Sequence, residues 1–216
     1  MYPECLEGVK IYPILGELQS APSMPFPLDE TSPYLNLFIG HTQQNFNKLM
    51  YQIHAKNNVG WSIGGYLENR TTALSKYPMA REGRFYHLGI DINAPAGTPL
   101  YAPLDCEVVI SEYEKGEGNY GGMVVLKCRE NGTVFYVAVG HLAVDSLPRV
   151  STRIKAGQQF AVIGDFAENG NYFYHAHLQI LTTKGFREGW AYKGYCKAKD
   201  VARIKSICPN PSYLVC

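Results

Sequence analysis

Phe173-Tyr174-His175-Ala176-His177-Leu178-Gln179-Ile180-Leu181-Thr182 is a run of aromatic and branched residues that reads as a β-strand. Side chains alternate across a strand, so His175 and His177 project from one face. Tyr174, Ala176, Leu178 and Ile180 then turn the other way, into a core. Two imidazoles on one face can share a metal ion, or one can bind it while the other works beside it. An isolated His-x-His is more often a pair of half-exposed strand histidines. The pair gains meaning from what else the chain can bring to it.

Two other short clusters supply candidates. The first is His87-Leu88-Gly89-Ile90-Asp91. A straight strand would hold His87 and Asp91 about 13 Å apart, too far for two ligands of one ion. The following Ala94-Pro95-Ala96-Gly97-Thr98-Pro99 speaks against a helix. A bend at Gly89 would bring the two side chains together. Otherwise they are a surface histidine and a turn aspartate. The second cluster is Gly140-His141-Leu142, which closes the strand-like Val134-Phe135-Tyr136-Val137-Ala138-Val139. His141 is either a strand end meeting solvent or a side chain aimed into a cleft.

Taken together, these clusters resemble the lysostaphin-type, or LytM-like, zinc metalloendopeptidases of bacterial cell walls. The resemblance runs from about Arg84 to about Thr182. It includes His-x-Gly-x-Asp with the Ala94–Pro103 follow-on, Asn119-Tyr120-Gly121-Gly122, Gly140-His141-Leu142, Ile154-Lys155-Ala156-Gly157-Gln158 and His175-Ala176-His177. It implies that His87, Asp91 and His177 hold one Zn2+ per chain, with His141 and His175 beside the ion as catalytic histidines. It also implies a mainly β, lysostaphin/LytM-like fold of antiparallel sheets, sandwich-like, with N- and C-terminal elaborations containing short helices. The substrate implied is a peptide bond of peptidoglycan cross-links or stem peptides. The chain departs from the family at Cys106, where glycine is usual, at the 165–173 loop, at Tyr174 and at Ala176. These positions bear on the groove, so the substrate is less firmly implied than the metal.

The chemistry stands on its own terms. One carboxylate and two neutral imidazoles leave zinc with a charge near +1, enough to acidify a bound water toward neutral pH. No His-Glu-x-x-His helix is present, so a histidine has to move the proton. Imidazole titrates near pH 6.5, suited to that task. One of His141 and His175 would accept the proton and the other support the oxyanion. The residues do not say which.

With 216 residues the chain can bury a substantial core. Sixteen tyrosines, 21 glycines and 13 prolines suit short strands joined by tight turns. A net charge of +1 gives no electrostatic case for nucleic acid or an anionic membrane. No stretch is apolar enough to span a bilayer. The start, Met1-Tyr2-Pro3-Glu4-Cys5-Leu6-Glu7, lacks the pattern of a secretory signal. The chain as it stands reads as cytoplasmic, and as periplasmic or secreted if a leader has been removed. Cys5, Cys106, Cys128, Cys196, Cys208 and Cys216 show no compact spacing, and most read as free thiols. A monomer is expected.

Three regions follow: an N-terminal elaboration packed on the catalytic domain (1–83), the metallopeptidase domain (84–182) and a C-terminal tail (183–216). Phe46, Leu49, Met50 and Ile53 mark a helix over about 42–54. Strands are expected near 106–113, 123–129, 133–139, 158–163 and 174–182, with Asn131-Gly132 as a hairpin turn, and a short helix near 197–206. The segment Gly64-Gly65-Tyr66-Leu67-Glu68-Asn69-Arg70 shortly precedes the first motif. Because the family includes latent forms, this segment is expected to wall the cleft through Tyr66, with Glu68 or Asn69 able to reach the open zinc position. Two rival functions are a catalytically silent domain that binds cell wall or regulates a partner, and a cytoplasmic metallo-amidase acting on a small peptide or amide.

Overall fold

The computed structural model describes residues 1–215. Its centre is a β-meander built from the most strand-like stretches of the sequence. These are β6 (Cys106–Glu114), β7 (Gly121–Glu130) and β8 (Thr133–Leu142), numbered in chain order after β1 (Ser23–Pro25), β2 (Trp61–Gly64), β3 (Tyr86–His87), β4 (Ile90–Asn93) and β5 (Pro99–Tyr101). Asn131 and Gly132 both adopt positive φ (44° and 76°) between β7 and β8. That conformation matches the twist of the flanking strands, which is why Asn-Gly serves there. Four further strands complete the set: β9 (Arg153–Ile154), β10 (Gln159–Val162), β11 (Ala176–Thr182) and β12 (Tyr195–Cys196).

Eight strands form one sheet in the order β1-β2-β4-β11-β8-β7-β6-β9. All neighbours are antiparallel except β1 and β2, which run parallel. The sheet is therefore mixed where a purely antiparallel one was expected. The reason is the long connection between β1 and β2, which carries α1 (Leu35–Gly40) and α2 (Gln43–Lys56) and allows a crossover. Strand β2 lies inside the sheet, between β1 and β4. The 158–163 stretch forms β10, which pairs with β5 in a separate two-stranded sheet. Helix α4 (Val201–Ile207) occupies the C-terminal stretch expected to be helical, after a short α3 (Thr183–Arg187).

The main sheet is buried on both faces. Ile90, Ile92, Val108, Val124, Leu126, Phe135, Val137, Val139, Ala176, Leu178 and Ile180 point into one core. On the opposite face Met123, Val125, Tyr136, Ala138 and Leu181 pack under Trp190, Ile204, Ile207 and Cys208 of the C-terminal segment. A third cluster joins Phe26, Phe38, Phe46 and Met50 of the N-terminal region to Phe173. On α2 the buried stripe is Phe46, Asn47, Met50 and His54. Cys5, Cys106, Cys128, Cys196 and Cys208 are buried free thiols, while Cys216 lies outside the described residues.

Candidate metal centre

The odd-numbered side of β11 faces the second core, so His177 and Gln179 point opposite to Ala176, Leu178 and Ile180. His175 immediately precedes the strand and points to the same site. Asp91 of β4 pairs directly with His177 of β11. His87 ends β3, and the chain bends at Leu88-Gly89 before β4 begins. Gly89 is required by close approach: a Cβ there would lie 2.3 Å from the Leu178 carbonyl oxygen and 2.8 Å from the His177 ring. The bend resolves the 13 Å problem posed by straight-strand spacing and sets His87 Nε2 3.2 Å from Asp91 Oδ1.

His141 arrives by a different device. Strict alternation along β8 would aim it into the first core with Val137 and Val139. The β7–β8 register shifts between Gly122↔Leu142 and Val124↔Val139, leaving Gly140 and His141 opposite one residue, Met123. His141 takes a left-handed φ of 65°. This bulge reverses the alternation: His141 turns to the site and Leu142 enters the first core. Gly140 leaves room for the Tyr120 ring, which a Cβ would meet at 2.3 Å.

Each of the four rings has one nitrogen committed to an oxygen acceptor. His87 Nδ1–H donates to the Gly65 carbonyl (2.9 Å). His141 Nδ1–H donates to the Asn169 carbonyl (2.7 Å), and His175 Nδ1–H to the Phe173 carbonyl (2.8 Å). Gln179 Nε2 donates to the Trp190 carbonyl, so Gln179 Oε1 is the atom that accepts from His177 Nε2 at 3.0 Å. Every histidine is thereby fixed in one tautomer with its remaining lone pair free. His87 Nε2 and His177 Nδ1 lie 2.9 Å apart, and His177 Nδ1 lies 3.5 Å from Asp91 Oδ1. His175 Nε2 stands 3.7 Å from the same oxygen, and the His141 ring centre is 4.3 Å from that of His175.

The five residues are almost completely buried, with at most 5% of any of them exposed. Burial, with the nearby Arg70 charge, pushes His87 down to about 4, against the opposite pull of Asp91. Burial and the neighbouring imidazoles hold His141 well below the usual histidine range, and burial lowers His175 despite Asp91. Burial would raise the Asp91 carboxyl, but His87 and Arg70 beside it hold it well below the usual carboxylate range. His87, His141 and His175 are therefore neutral and the carboxylate ionised at neutral pH.

Asp91 Oδ1 is buried without a hydrogen-bond partner among the described residues. A buried carboxylate oxygen facing two lone pairs calls for a cation. Ligand atoms about 2.0–2.1 Å from a tetrahedral zinc ion sit about 3.3 Å apart. The separations among His87 Nε2, His177 Nδ1 and Asp91 Oδ1 are 2.9, 3.2 and 3.5 Å. These three residues form the group with metal-ligand spacing among the described residues. The donor set fits zinc.

The cleft over the centre has a cavity volume of about 70 Å3. Its walls include Leu28, Phe38 and Leu74 from the N-terminal region, Tyr120 and Tyr172 from the central region, and Tyr192 and Tyr195 from the C-terminal segment. Tyr66 points elsewhere, donating its hydroxyl proton to the Cys208 carbonyl. Asn69 Oδ1 accepts from Thr71 and does not reach Asp91. The group of this segment against Asp91 is Arg70, with Nη1 2.6 Å from Oδ2, and Glu68 pairs with Arg70. The sequence alone assigned no individual role to Arg70, Gln179, Asn169 or Tyr195. Only Gln179 carried a signal, since it falls on the histidine face of β11.

Residues 85–187 match the model of peptidase family M23. Among solved structures, a zinc-containing peptidase from Vibrio cholerae is 25% identical, over 45% of this chain and 28% of that one, with a TM-score of 0.37. The catalytic domain of the antimicrobial peptidase lysostaphin from Staphylococcus simulans is 20% identical, over 56% of this chain and 80% of that domain, with a TM-score of 0.40. LytU is 22% identical, over 58% of this chain and 87% of that one, also at 0.40. A structure of lysostaphin is 25% identical, with 40% of its length covered. No curated protein matches.

Proposed function

We propose that this protein, whose residues 85–187 match the model of peptidase family M23, is a zinc metalloendopeptidase that hydrolyses peptide bonds of peptidoglycan cross-links or stem peptides. The observation that carries the metal is the meeting of the His87 and His177 lone pairs with the unpartnered oxygen of Asp91. Zinc held by His87, Asp91 and His177 would supply a Lewis acid and an acidified water as nucleophile.

The remaining steps belong to the side chains. His141 and His175 are neutral and keep Nε2 free, so either can accept the nucleophile's proton. The Asn169 and Phe173 carbonyls stabilise the imidazolium that results, because each accepts from its Nδ1–H. The protonated ring then returns its proton to the leaving amine, and the second histidine would support the oxyanion only as an imidazolium, because its neutral Nε2 carries no proton. Burial holds the Tyr120 hydroxyl far above its ordinary range, so it remains a proton donor beside His177 and His141. The small volume of the cleft supports a second reading, an amidase acting on a short peptide or small amide.

The test is metal analysis of the purified protein, then incubation with intact peptidoglycan and with soluble muropeptides, with products read by mass spectrometry. Zinc-dependent release from intact peptidoglycan supports the endopeptidase. Cleavage of soluble peptides alone supports the amidase. No cleavage of either overturns both.

A further inference from the structure

Asp91 divides its two oxygens. Oδ1 faces the histidines, and Oδ2 accepts from Arg70 Nη1 at 2.6 Å. Arg70 Nε donates to Glu68 Oε2, also at 2.6 Å, and Nη1 makes a second contact of 3.1 Å with the Tyr195 hydroxyl. All three charged side chains are at least nine-tenths buried. Such a buried row survives only if its charges compensate one another. Glu68, Arg70 and Asp91 alternate in sign and sum to one negative charge.

The backbone is shaped for this row. Gly64 pairs with Asp91 across β2 and β4. A Cβ on Gly64 would come 2.8 Å from Arg70 Nη2 and 3.3 Å from Asp91 Oδ2. The same segment offers the Gly65 carbonyl to His87 Nδ1, and the Glu68 carbonyl accepts from the His87 backbone N–H. Residues 64–70 thus fix the orientation of two of the three metal-ligating side chains.

We infer that Arg70 is a positioning residue that engages Oδ2 and so presents Asp91 to the metal through Oδ1 alone, while Glu68 neutralises Arg70 so that its cation can stand beside a dication. This rests on the zinc reading above. With Arg70 removed, Oδ2 is free to turn toward the ion as a second ligand atom, and Glu68 is left without its partner near Asp91. With Glu68 removed, the guanidinium repels the metal. The two losses are coupled, because each removes the reason for the other.

The experiment uses the full chain and competition for Zn2+ with a chromophoric chelator at fixed pH. Visible absorption of the Co2+-loaded protein is read alongside, since its intensity falls as coordination number rises above four. Arg70→Met and Glu68→Gln are each expected to weaken Zn2+ binding about 10- to 100-fold, the range for outer groups that orient ligands. The Glu68→Gln/Arg70→Met double variant should lose less than the product of the single losses. Arg70→Lys should recover part of the affinity, and Arg70→Met should weaken the Co2+ band. Wild-type affinity and an unchanged Co2+ band in folded Arg70→Met would overturn the inference, as would independent, multiplicative losses. If Arg70→Met does not fold, Glu68→Gln and Arg70→Lys decide by the same readings. A wild-type protein that binds no Zn2+ overturns the metal reading itself, a result distinct from any difference among variants.

Discussion

His87 Nε2 and His177 Nδ1 stand 2.9 Å apart, and neither carries a proton, because each ring donates its N–H to an oxygen on its far side. Two lone pairs at that distance repel unless a cation lies between them. Asp91 Oδ1 completes the triangle.

Asp91→Asn and His177→Ala should therefore lose most bound zinc while remaining folded in the presence of chelator. Elemental analysis after dialysis checks this, and full zinc retention in either variant would rule out the ligand set. In the wild type, zinc at 100 times its Kd should add about 2.7 kcal/mol to stability. A chelator-induced drop in Tm reads that contribution.

His141→Ala and His175→Ala should keep zinc and lose on the order of 100-fold or more in turnover, as expected for groups that move protons beside the ion. If His175→Ala released the metal while His177→Ala retained it, the two roles on β11 would have to be exchanged.

Two glycines should behave differently on gaining a methyl group. At Gly89 the obstacle is the Leu178 carbonyl, which is backbone inside the sheet. Gly89→Ala should cost about 1–3 kcal/mol and impair zinc binding. At Gly140 the obstacle is the Tyr120 ring, a side chain. Gly140→Ala should therefore add little to the Tm loss of a Tyr120→Ala variant, whereas the cost of Gly89→Ala should persist in the background of any side-chain deletion.

Stability should fall with acid in metal-free protein. His87 is pushed down to about 4 and buried His54 is also lowered, both chiefly by burial. The unfolded chain binds these protons more readily than the native one. The stabilising contribution is therefore complete above about pH 6.5 and is lost as pH falls toward 4. Thermal melts in chelator from pH 7.5 to 4.5 measure the slope, and His54→Gln should flatten part of it. A Tm constant across that range would contradict the sign.

Deleting residues 1–60 should lower Tm and turnover together. Phe173 packs against Phe46, and the backbone N–H groups of Phe173 and Tyr174 donate to Gln43 and Asn47 of α2. The Phe173 carbonyl is what orients His175. A truncated protein with unchanged Tm, zinc content and turnover would show that the N-terminal region braces nothing.

What the sequence disclosed was local. Asn131-Gly132 specified its turn because both residues tolerate positive φ. The period-two pattern of β11 separated Ala176, Leu178 and Ile180 from His177 without any partner strand in view. The spacing of His87 and Asp91 was unreachable for a straight strand, which demanded the bend. Arg70 could not be found in this way, because its meaning depends on Asp91, 21 residues on, and on Tyr195, 125 residues on. The turning of His141 was equally hidden. A bulge depends on register against a neighbouring strand, and alternation within β8 predicts the opposite direction. The β1–β2 crossover was invisible because β1 is three residues long.

The pairing of His177 with Asp91 also has a consequence in time. Strands β6, β7 and β8 are joined by short turns and can assemble as soon as they are made, whereas β4 must wait some eighty residues for β11. Tyr195 and the Trp190 carbonyl, which orient Arg70 and Gln179, arrive later still. During synthesis the candidate metal centre is thus completed late, after the β6–β8 meander and once β11 and Tyr195 have been made.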